Sequence, residues 1–365
     1  MKKRNHRRSK SIAPEIRPPI EEIREAYRHG NLTLYLGAGV SKDNGLPNWA
    51  ELVLTMYFTA TERGWKQRWR AYPNYLYAIA EWQLQRRTEP PEITAQKVRL
   101  YYRNPKKFLS DLHKSLYGGG YFYRFAEQVR QVNAVLNSVA QLCRLTRGKD
   151  FGIQAVVTYN YDNLLELATK GSACEFVPVW KSSAPLKESA RPIFHVHGYI
   201  PAEGNVPDPD SIVFTEAQYH AAANDPYSWS NLCQIQCMSS SIGLMVGLSL
   251  TDSNMRRLLT ALKITPLRKS TFALLKKPQW PVPTEQELNT IHESAQQYKE
   301  KLEGSGIKAP MERNVQMREI IDVVNRNEQD NHAKMLEEFG ITPIWFEEYD
   351  QVPGILDSIL AGMAR

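Results

Sequence analysis

Short apolar runs alternate with amphipathic segments along most of the chain. Apolar runs that are typical of buried strands lie within residues 32–41, 154–162, 174–180, 191–198, 211–219, 241–252, 270–277 and 340–349. Segments with apolar residues at helical spacing stand between most of them. Strands that alternate with helices in this way form a parallel sheet that helices cover on both faces. We therefore predict an α/β fold with a Rossmann-like, mostly parallel sheet.

Residues 61–149 differ from the rest of the chain in pattern and composition. They hold eight of the 18 tyrosines, and their longer segments have the apolar spacing of helices. We interpret residues 61–149 as a mostly helical insertion into a Rossmann-like domain formed by residues 18–60 and 150–365. Residues 1–17 precede that domain as a basic tail, which we expect to be flexible.

The net charge of +7 is unevenly distributed. The first ten residues contain six lysines and arginines, and residues 61–149 contain 17 basic against 6 acidic residues. The remainder of the chain carries 23 basic and 33 acidic residues. Such asymmetry favours an anionic partner or another subunit with an acidic face. A solvated helical surface is the other explanation.

Cysteine usage and hydropathy indicate a soluble protein of the cytoplasm. Four scattered cysteines are too few for a disulfide framework and suit a reducing compartment. No run of about 18 apolar residues predicts a membrane span. The basic start has no apolar stretch of signal-peptide type behind it.

The stretch LYLGAGVSKDNGLPNW, residues 34–49, joins an apolar strand to a glycine-rich turn. Two glycines so close together allow a backbone to approach a partner that side chains would block. A strand, then Gly37-Ala38-Gly39, then a helix would hold a pyrophosphate with backbone N–H groups and the helix dipole. The spacing G-x-G-x-x-G is not met, because position 42 is lysine.

Four ordered motifs together resemble those of the sirtuin family. The first is Gly-Ala-Gly-x-Ser followed by Gly45-Leu46-Pro47, and the others are TYNYD at 158–162, FHVHG at 194–198 and VGLSL at 246–250. All four follow predicted strands, at the edge where open α/β sheets bind ligands. The resemblance spans residues 32–275 and extends to the last strand.

The sequence departs from the pattern of protein-deacylating sirtuins at two places. Protein-deacylating sirtuins carry a zinc ribbon of two Cys-x-x-Cys pairs, and this sequence has no such pair. The family's Pro-x-Phe-Arg is replaced by PNWA at residues 47–50. The chain resembles the zinc-free, sirtuin-like NAD⁺ hydrolases of bacterial anti-phage systems, which occur in Thoeris effectors, beside short Argonautes and with HerA-type ATPases.

The resemblance implies roles for the motif residues, with NAD⁺ as substrate and no metal. Asn160 and His197 would be catalytic, with Asn160 holding a ribose hydroxyl or the attacking water and His197 acting as general base. Asp162 would orient Asn160 or stabilise positive charge near the ribose. The remaining candidates would bind the dinucleotide, with Ser249 and Asp252 at the adenosine ribose; they are Gly37, Ala38, Gly39, Ser41, Thr158, Gly247, Ser249 and Asp252.

Structural explanations compete with several of these roles. Without the other motifs, Asn160 would be interpreted as a helix cap. Asp162 would be interpreted as an acid that is favourable in the first turn of a helix. A single histidine such as His197 is more often part of a core. His195 alternates with His197 along one strand, so the two cannot chelate together, and we expect His195 to be structural. We assign the remaining candidates to packing; they are Trp49, Tyr159, Tyr161, Cys233 and Cys237.

Two rival functions remain open from the sequence. One is an NAD-dependent protein deacylase, which the missing zinc ligands oppose. The other is a nucleic-acid-binding or nuclease subunit of a defence complex, with nucleic acid held by the basic insertion and its tyrosines. The chain has no obvious sensor domain, so we expect a homo-oligomer and a separately encoded partner. A HerA-like ATPase is the first expectation for that partner and a short Argonaute the second.

Overall fold

A computed structural model describes residues 19–61, 78, 82, 90–117, 133–206, 208–263, 265, 268–278, 283–306 and 317–362. The predicted basic tail, residues 1–17, lies outside these residues. So do large parts of the predicted insertion, including residues 62–77 and 118–132.

Among the described residues, seven parallel strands form one sheet, as the sequence pattern predicts. They are β1 (Leu32–Leu36), β2 (Ile153–Thr158), β3 (Phe176–Val179), β4 (Arg191–His195), β5 (Ile242–Val246), β6 (Thr271–Lys276) and β7 (Ile341–Phe346). Their order is β3-β4-β2-β1-β5-β6-β7. In the central strand β1, Leu34 pairs with Val156 on one side and with Leu244 on the other.

Twelve helices among the described residues flank this sheet, which confirms the α/β class. They are α1 (Pro19–Arg28), α2 (Trp49–Thr61), α3 (Pro91–Tyr101), α4 (Pro105–Tyr117), α5 (Ala134–Arg144), α6 (Leu164–Thr169), α7 (Glu216–Asn224), α8 (Trp229–Ser240), α9 (Ser253–Lys263), α10 (Glu285–Gly304), α11 (Met317–Glu338) and α12 (Gln351–Leu360). No helix of the described ranges is both long and apolar enough to cross a membrane.

Without the edge strand β3, the strand order is that of a Rossmann fold, 3-2-1-4-5-6. The chain leaves β1 toward β2 on one side and leaves β5 toward β6 on the other. The carboxyl ends of β1 and β5 therefore form the switch point, where open α/β sheets bind their ligands.

The two faces of the sheet bury separate apolar cores. Leu34 and Leu36 of β1 pack in one core with side chains of α1, α5, α6 and α12. Tyr35 points to the opposite face and packs with side chains of α8 and α9. Successive side chains of a strand point to opposite faces of the sheet, so β1 is buried on both faces and lies in the middle of the molecule.

A third core joins α2, α3 and α4 beside the sheet. It includes Met56, Leu112 and Phe214, all three buried. Helix α5 lies within the predicted insertion, yet its side chains Leu136 and Val139 pack in the core of the first sheet face. The domain boundaries at residues 60 and 150 stay a prediction.

Two local expectations were wrong, and one helix was not predicted. Residues 211–215 form no strand; the backbone of Val213 makes one hydrogen bond to His197, and Ile212 and Phe214 are buried against the third core, which accounts for their apolar alternation. Helix α12 was not predicted, because it contains Pro353 and Gly354 near its start. The glycine turn leads into two short 3₁₀ turns, Ala38–Val40 and Lys42–Asn44, rather than into an α-helix.

We expect Gly247→Ala to destabilise the fold. Gly247 has φ +68°, and an added Cβ would lie 2.7 Å from the Val40 nitrogen. Left-handed backbone and this overlap together predict a loss of at least about 1–2 kcal/mol in the free energy of unfolding, measured by chemical denaturation.

Gly354→Ala is the matched control. Gly354 lies in helix α12, and nothing stands within 4 Å of an added Cβ. Alanine is favoured over glycine inside a helix, so this variant should gain about 0.5–1 kcal/mol. A loss in the control, or no loss in Gly247→Ala, would contradict this account of the Gly247 turn.

Candidate active site

A cavity of about 540 Å³ opens at the switch point of the sheet. This volume lies within the range of about 300–1,000 Å³ that is usual for ligand pockets. Its wall includes eight of the eleven residues predicted for the site, namely Gly37, Ala38, Gly39, Asn160, His197, Gly247, Ser249 and Asp252. Four separate motifs of the sequence thus meet around one space.

The floor of the cavity is formed by two turns whose backbones touch. Gly37 and Gly39 in the turn after β1 lie against the turn after β5. Gly37 and Gly39 donate hydrogen bonds of 3.0 Å to the carbonyls of Val246 and Gly247. A Cβ on Gly37 would lie 2.5 Å from the Gly247 oxygen, and a Cβ on Gly39 would lie 2.7 Å from the Gly247 Cα. The turns after β1 and β5 are therefore in direct contact, with no room for a side chain between them.

This contact changes what the first turn can offer to a phosphate. The N–H groups of Gly37, Gly39, Val40 and Ser41 all donate to backbone carbonyls of the protein. We expected these groups to hold a pyrophosphate at a helix N-terminus, and the turn has no such helix. Lys42 also lines the cavity and supplies a positive charge, which the sequence interpretation had not used.

Asn160 presents one defined face of its amide to the cavity. Its Nδ2 donates to the Gly37 carbonyl at 3.0 Å and to Ser41 Oγ at 3.3 Å. A carbonyl can only accept, so the amide nitrogen must point this way. Among the described residues, none donates to Asn160 Oδ1, which leaves this oxygen to accept from a ligand hydroxyl or from water.

Ser41, Thr158 and Asp162 lie behind Asn160, outside the wall of the main cavity. Ser41 Oγ donates to Asp162 Oδ2 at 2.9 Å and accepts from the Asn160 amide. Thr158 Oγ1 accepts from the Asn160 backbone N–H at 3.1 Å. Ser41 thus links the Asp162 carboxyl to the Asn160 amide.

Asp162 is buried, and burial raises the pKa of its carboxyl above the ordinary value of 3.8. Hydrogen bonds from the Leu164 N–H and the Ser41 hydroxyl oppose this shift in part. Desolvation therefore outweighs hydrogen bonding at this position.

His197 lies between an acid and two aromatic rings. Its Nε2 is 3.3 Å from Asp252 Oδ2, and the rings of Tyr159 and Tyr219 meet the imidazole edge to face at 5.2 and 5.3 Å. The sequence interpretation had placed Asp252 at the adenosine ribose, and the structure places its carboxylate beside the expected general base. A carboxylate in this position can orient the ring of a histidine.

Asp252 is held in its ionised form. Burial disfavours that form, but the hydrogen bond and charge of His197 and a hydrogen bond from the Met255 N–H outweigh it, so the pKa of the Asp252 carboxyl lies below its ordinary value. The Met255 N–H is 2.6 Å from Asp252 Oδ1, at the start of helix α9. One carboxylate therefore caps a helix and contacts His197.

The loop after β5 carries Ser249 and a strained residue. Ser249 Oγ is 2.7 Å from Thr251 Oγ1, and both residues line the cavity. Leu250 between them has φ +58°, which is unfavourable for a residue with a side chain. Arg256 donates to the Leu250 carbonyl at 3.1 Å and helps to hold this conformation. Strain of this kind is typical of binding loops.

His195 has partners entirely different from those of His197. It is fully buried, with Nδ1 3.1 Å from the Asn160 carbonyl and Nε2 2.7 Å from Glu166 Oε1. The sequence interpretation had assigned His195 a structural place and had not considered Glu166. Glu166 is an acid in the first turn of α6, where acids are generally favourable, so nothing in the sequence indicated its contact with His195.

The aromatic residues that we had assigned to packing also line the cavity. Trp49 packs edge to face on Phe214 at 5.2 Å, and Tyr159 donates to Gln234 at 2.7 Å. The wall further includes Tyr219, Lys276 and Tyr349, which carry no motif and were missed for that reason; the aromatic wall residues are Trp49, Tyr159, Tyr161, Tyr219, Phe346 and Tyr349.

The cysteines are buried, as the sequence interpretation expected for Cys233 and Cys237. Both lie on helix α8 in the core of the second sheet face. Burial raises the pKa of the Cys237 thiol to about 12. The part of the chain that the structure describes holds no group of three or more His, Cys, Asp or Glu side chains placed to bind a metal ion.

Comparison with known protein families identifies one domain. Residues 154–302 match the SIR2-like domain. The match begins in β2 and ends in α10, so it contains Asn160, His197 and the loop after β5, whereas β1 and its glycine turn precede it. SIR2-like domains bind NAD. No curated protein matches the chain.

The resemblance to sirtuins is thus confirmed at the level of a SIR2-like domain. The position of that domain agrees with the geometry, because its residues form most of the cavity wall at the switch point. The particular roles of Asn160, His197 and Asp162 stay predictions.

We expect Asp162→Asn to gain stability relative to wild type as the pH rises. A carboxyl whose pKa is raised by folding stabilises the protein below its unfolded pKa and loses that contribution as pH rises through its folded pKa. Asparagine removes this titration and keeps an acceptor for the Leu164 N–H. Urea unfolding of both proteins at about pH 4 and about pH 7 measures the difference. A relative stability that falls toward pH 7 would contradict the burial of this carboxyl.

Proposed function

We propose that this protein is an NAD⁺ hydrolase that cleaves the bond between nicotinamide and ribose. One observation carries the proposal: Asn160 and His197 face the same cavity at the switch point, within a match to an NAD-binding domain. The cavity also holds the positive charge of Lys42, which suits the anionic pyrophosphate of a dinucleotide.

In the proposed reaction, water attacks the anomeric carbon of the nicotinamide ribose. The C–N bond breaks, and its electron pair leaves with neutral nicotinamide. The proton of the attacking water passes to His197 and then to solvent, so the products are nicotinamide, ADP-ribose and one proton. His197 lines the cavity, where it can accept this proton. Its Nε2 is 3.3 Å from the carboxylate oxygen Oδ2 of Asp252.

Asn160 would hold the ribose or the water during this step. Its Oδ1 is the amide atom left without a partner among the described residues, and it can accept a hydrogen bond without adding charge. Asp162 acts on Asn160 through Ser41 rather than on the substrate, since it lies behind the wall. Stabilisation of the positive ribose would then come from the polar wall of the cavity.

The absence of a zinc ribbon in the sequence favours hydrolysis over protein deacylation. No Cys-x-x-Cys pair occurs in the chain, so the module that helps to form an acyl-lysine cleft in deacylating sirtuins is missing. Water is the acceptor that needs no such cleft. The same assay, repeated with an acylated peptide, would reveal a deacylase by acyl-dependent release of nicotinamide.

In the cell, we propose that the protein acts as an effector of anti-phage defence by depleting NAD⁺. Unrestrained hydrolysis would kill the host, which is why a homo-oligomer and a separately encoded partner belong to the proposal. A HerA-like ATPase is the first candidate partner and a short Argonaute the second. The basic segment at residues 61–149 offers charge for docking to an acidic surface.

We expect purified wild type to release nicotinamide from NAD⁺ without any acylated peptide. Asn160→Ala and His197→Ala should each lower the rate at least about 100-fold, because each removes a group that acts in the transition state. Chromatography of nicotinamide and ADP-ribose measures the rates. His29→Ala is the control, since His29 is exposed just after helix α1 and is not part of the cavity wall, and it should keep full activity.

The possible outcomes separate three situations. Loss in both cavity variants, with folding and control activity intact, supports the assignment. Full activity in either variant would contradict the role of that residue. If wild type binds NAD⁺ but releases nothing, addition of the separately encoded partner decides whether the enzyme is latent.

Inside cells, we expect phage infection to lower NAD⁺ when the wild-type protein and its partner are present. The Asn160→Ala variant should leave NAD⁺ at the level of uninfected cells, because only hydrolysis consumes it. An enzymatic cycling assay of cell extracts measures the pool. Equal NAD⁺ loss with wild type and variant would contradict the effector role, even if the purified enzyme is active.

A further inference from the structure

The backbone around Asn160 lies in an irregular segment that needs support from side chains. Strand β2 ends at Thr158 and helix α6 begins at Leu164, and the Asn160 carbonyl between them accepts no backbone hydrogen bond from the described residues. A backbone carbonyl in such a segment needs a donor when it is buried. The donor for the Asn160 carbonyl is the ring of His195, at 3.1 Å.

The direction of this hydrogen bond restricts the protonation of His195. A carbonyl can only accept, so the proton must lie on His195 Nδ1. The other ring nitrogen, Nε2, is 2.7 Å from Glu166 Oε1. A neutral ring that gave its only proton to Glu166 would turn a lone pair toward the Asn160 carbonyl. The pair therefore carries an additional proton, on His195 or on Glu166, and Nδ1 stays a donor.

This arrangement lies beneath the main cavity. His195 is fully buried, and its ring meets Tyr199 edge to face at 4.7 Å. A void of about 10 Å³, at the lower limit for one water molecule, separates it from Ser41 and Asp162. Glu166 is not part of the main cavity wall, and its hydrogen-bonded contact with His195 leads to Asn160.

We propose that Glu166 is a positioning residue for Asn160. By holding Nε2 of His195, it keeps the Nδ1–H on the Asn160 carbonyl and so sets where Asn160 Oδ1 stands in the cavity. The inference rests on the proposed function, because it assigns the effect to the reaction in which Asn160 acts. Misplacement of a reacting group by about 1 Å can lower a rate about 100-fold.

Two variants of Glu166 test the proposal. Glu166→Leu removes the partner of Nε2, whereas Glu166→Gln keeps one, because its amide can donate to that nitrogen. We expect Glu166→Leu to lower kcat about 10-fold or more with KM for NAD⁺ within about 2-fold, because a shifted Asn160 would lose contacts in the transition state rather than in substrate binding. Glu166→Gln should stay within about 3-fold of wild type, because it keeps a hydrogen-bond partner for His195.

A purely structural role would give a different pattern. It would lower the melting temperature and the fraction of folded protein, and kcat per folded molecule would stay unchanged. Rates are therefore normalised to folded protein, and the melting temperatures of both variants are measured. Unchanged kcat in Glu166→Leu, or an equal loss in Glu166→Gln, would overturn the proposal.

A second measurement is independent of enzymatic activity. In protein labelled with ¹⁵N-histidine, long-range proton–nitrogen spectra report which ring nitrogens carry protons, and His195 is identified by the signals lost in His195→Gln. We expect a protonated Nδ1 in wild type and Glu166→Gln, and altered ring signals in Glu166→Leu. Identical His195 signals in all three would overturn the proposal. If wild type releases no nicotinamide even after the partner is added, the proposed function fails, and these spectra still decide the pairing of Glu166 with His195.

Discussion

The site depends on the contact between the turn after β1 and the turn after β5. Gly37 and Gly39 extend the pairing of these strands beyond their ends, with hydrogen bonds to Val246 and Gly247. Without side chains between them, the two turns form one continuous floor at the switch point. The Asn160 amide is anchored to the same floor through the Gly37 carbonyl. A shift of this floor would therefore move the Asn160 side chain with it.

Asn160 and His197, two of the polar groups that face the cavity, are supported in different ways. Asn160 is held from below by buried hydrogen bonds, and the nearest acid in its side-chain network, Asp162, has a raised pKa. His197 is held by Asp252, whose pKa is lowered. One site thus contains a carboxyl group that burial pushes toward neutrality and another that stays charged. Opposite environments of this kind allow neighbouring groups to take different roles at one pH.

Much of the fold could be predicted from the sequence because the signals were local. Buried strands such as β1 and β5 appear as apolar runs, and their glycine and polar ends mark the binding edge. The contact of His197 with Asp252 could not be predicted, because residues 55 positions apart meet only through the sheet order. The apolar alternation at 211–215 led to a wrong strand prediction, because burial of alternate side chains against the third core gives the same pattern as a strand. The role of Glu166 gave no signal beyond that of an acid in a first helical turn.

The glycine floor also restricts how this site can change in evolution. At Gly37, Gly39 and Gly247 any added side chain meets backbone, so these positions tolerate almost no replacement. The wall includes instead side chains from several helices and β7, such as Trp49, Tyr219 and Phe346. Descendants of this chain can therefore acquire new ligands by substitution in the wall, while the floor is inherited unchanged.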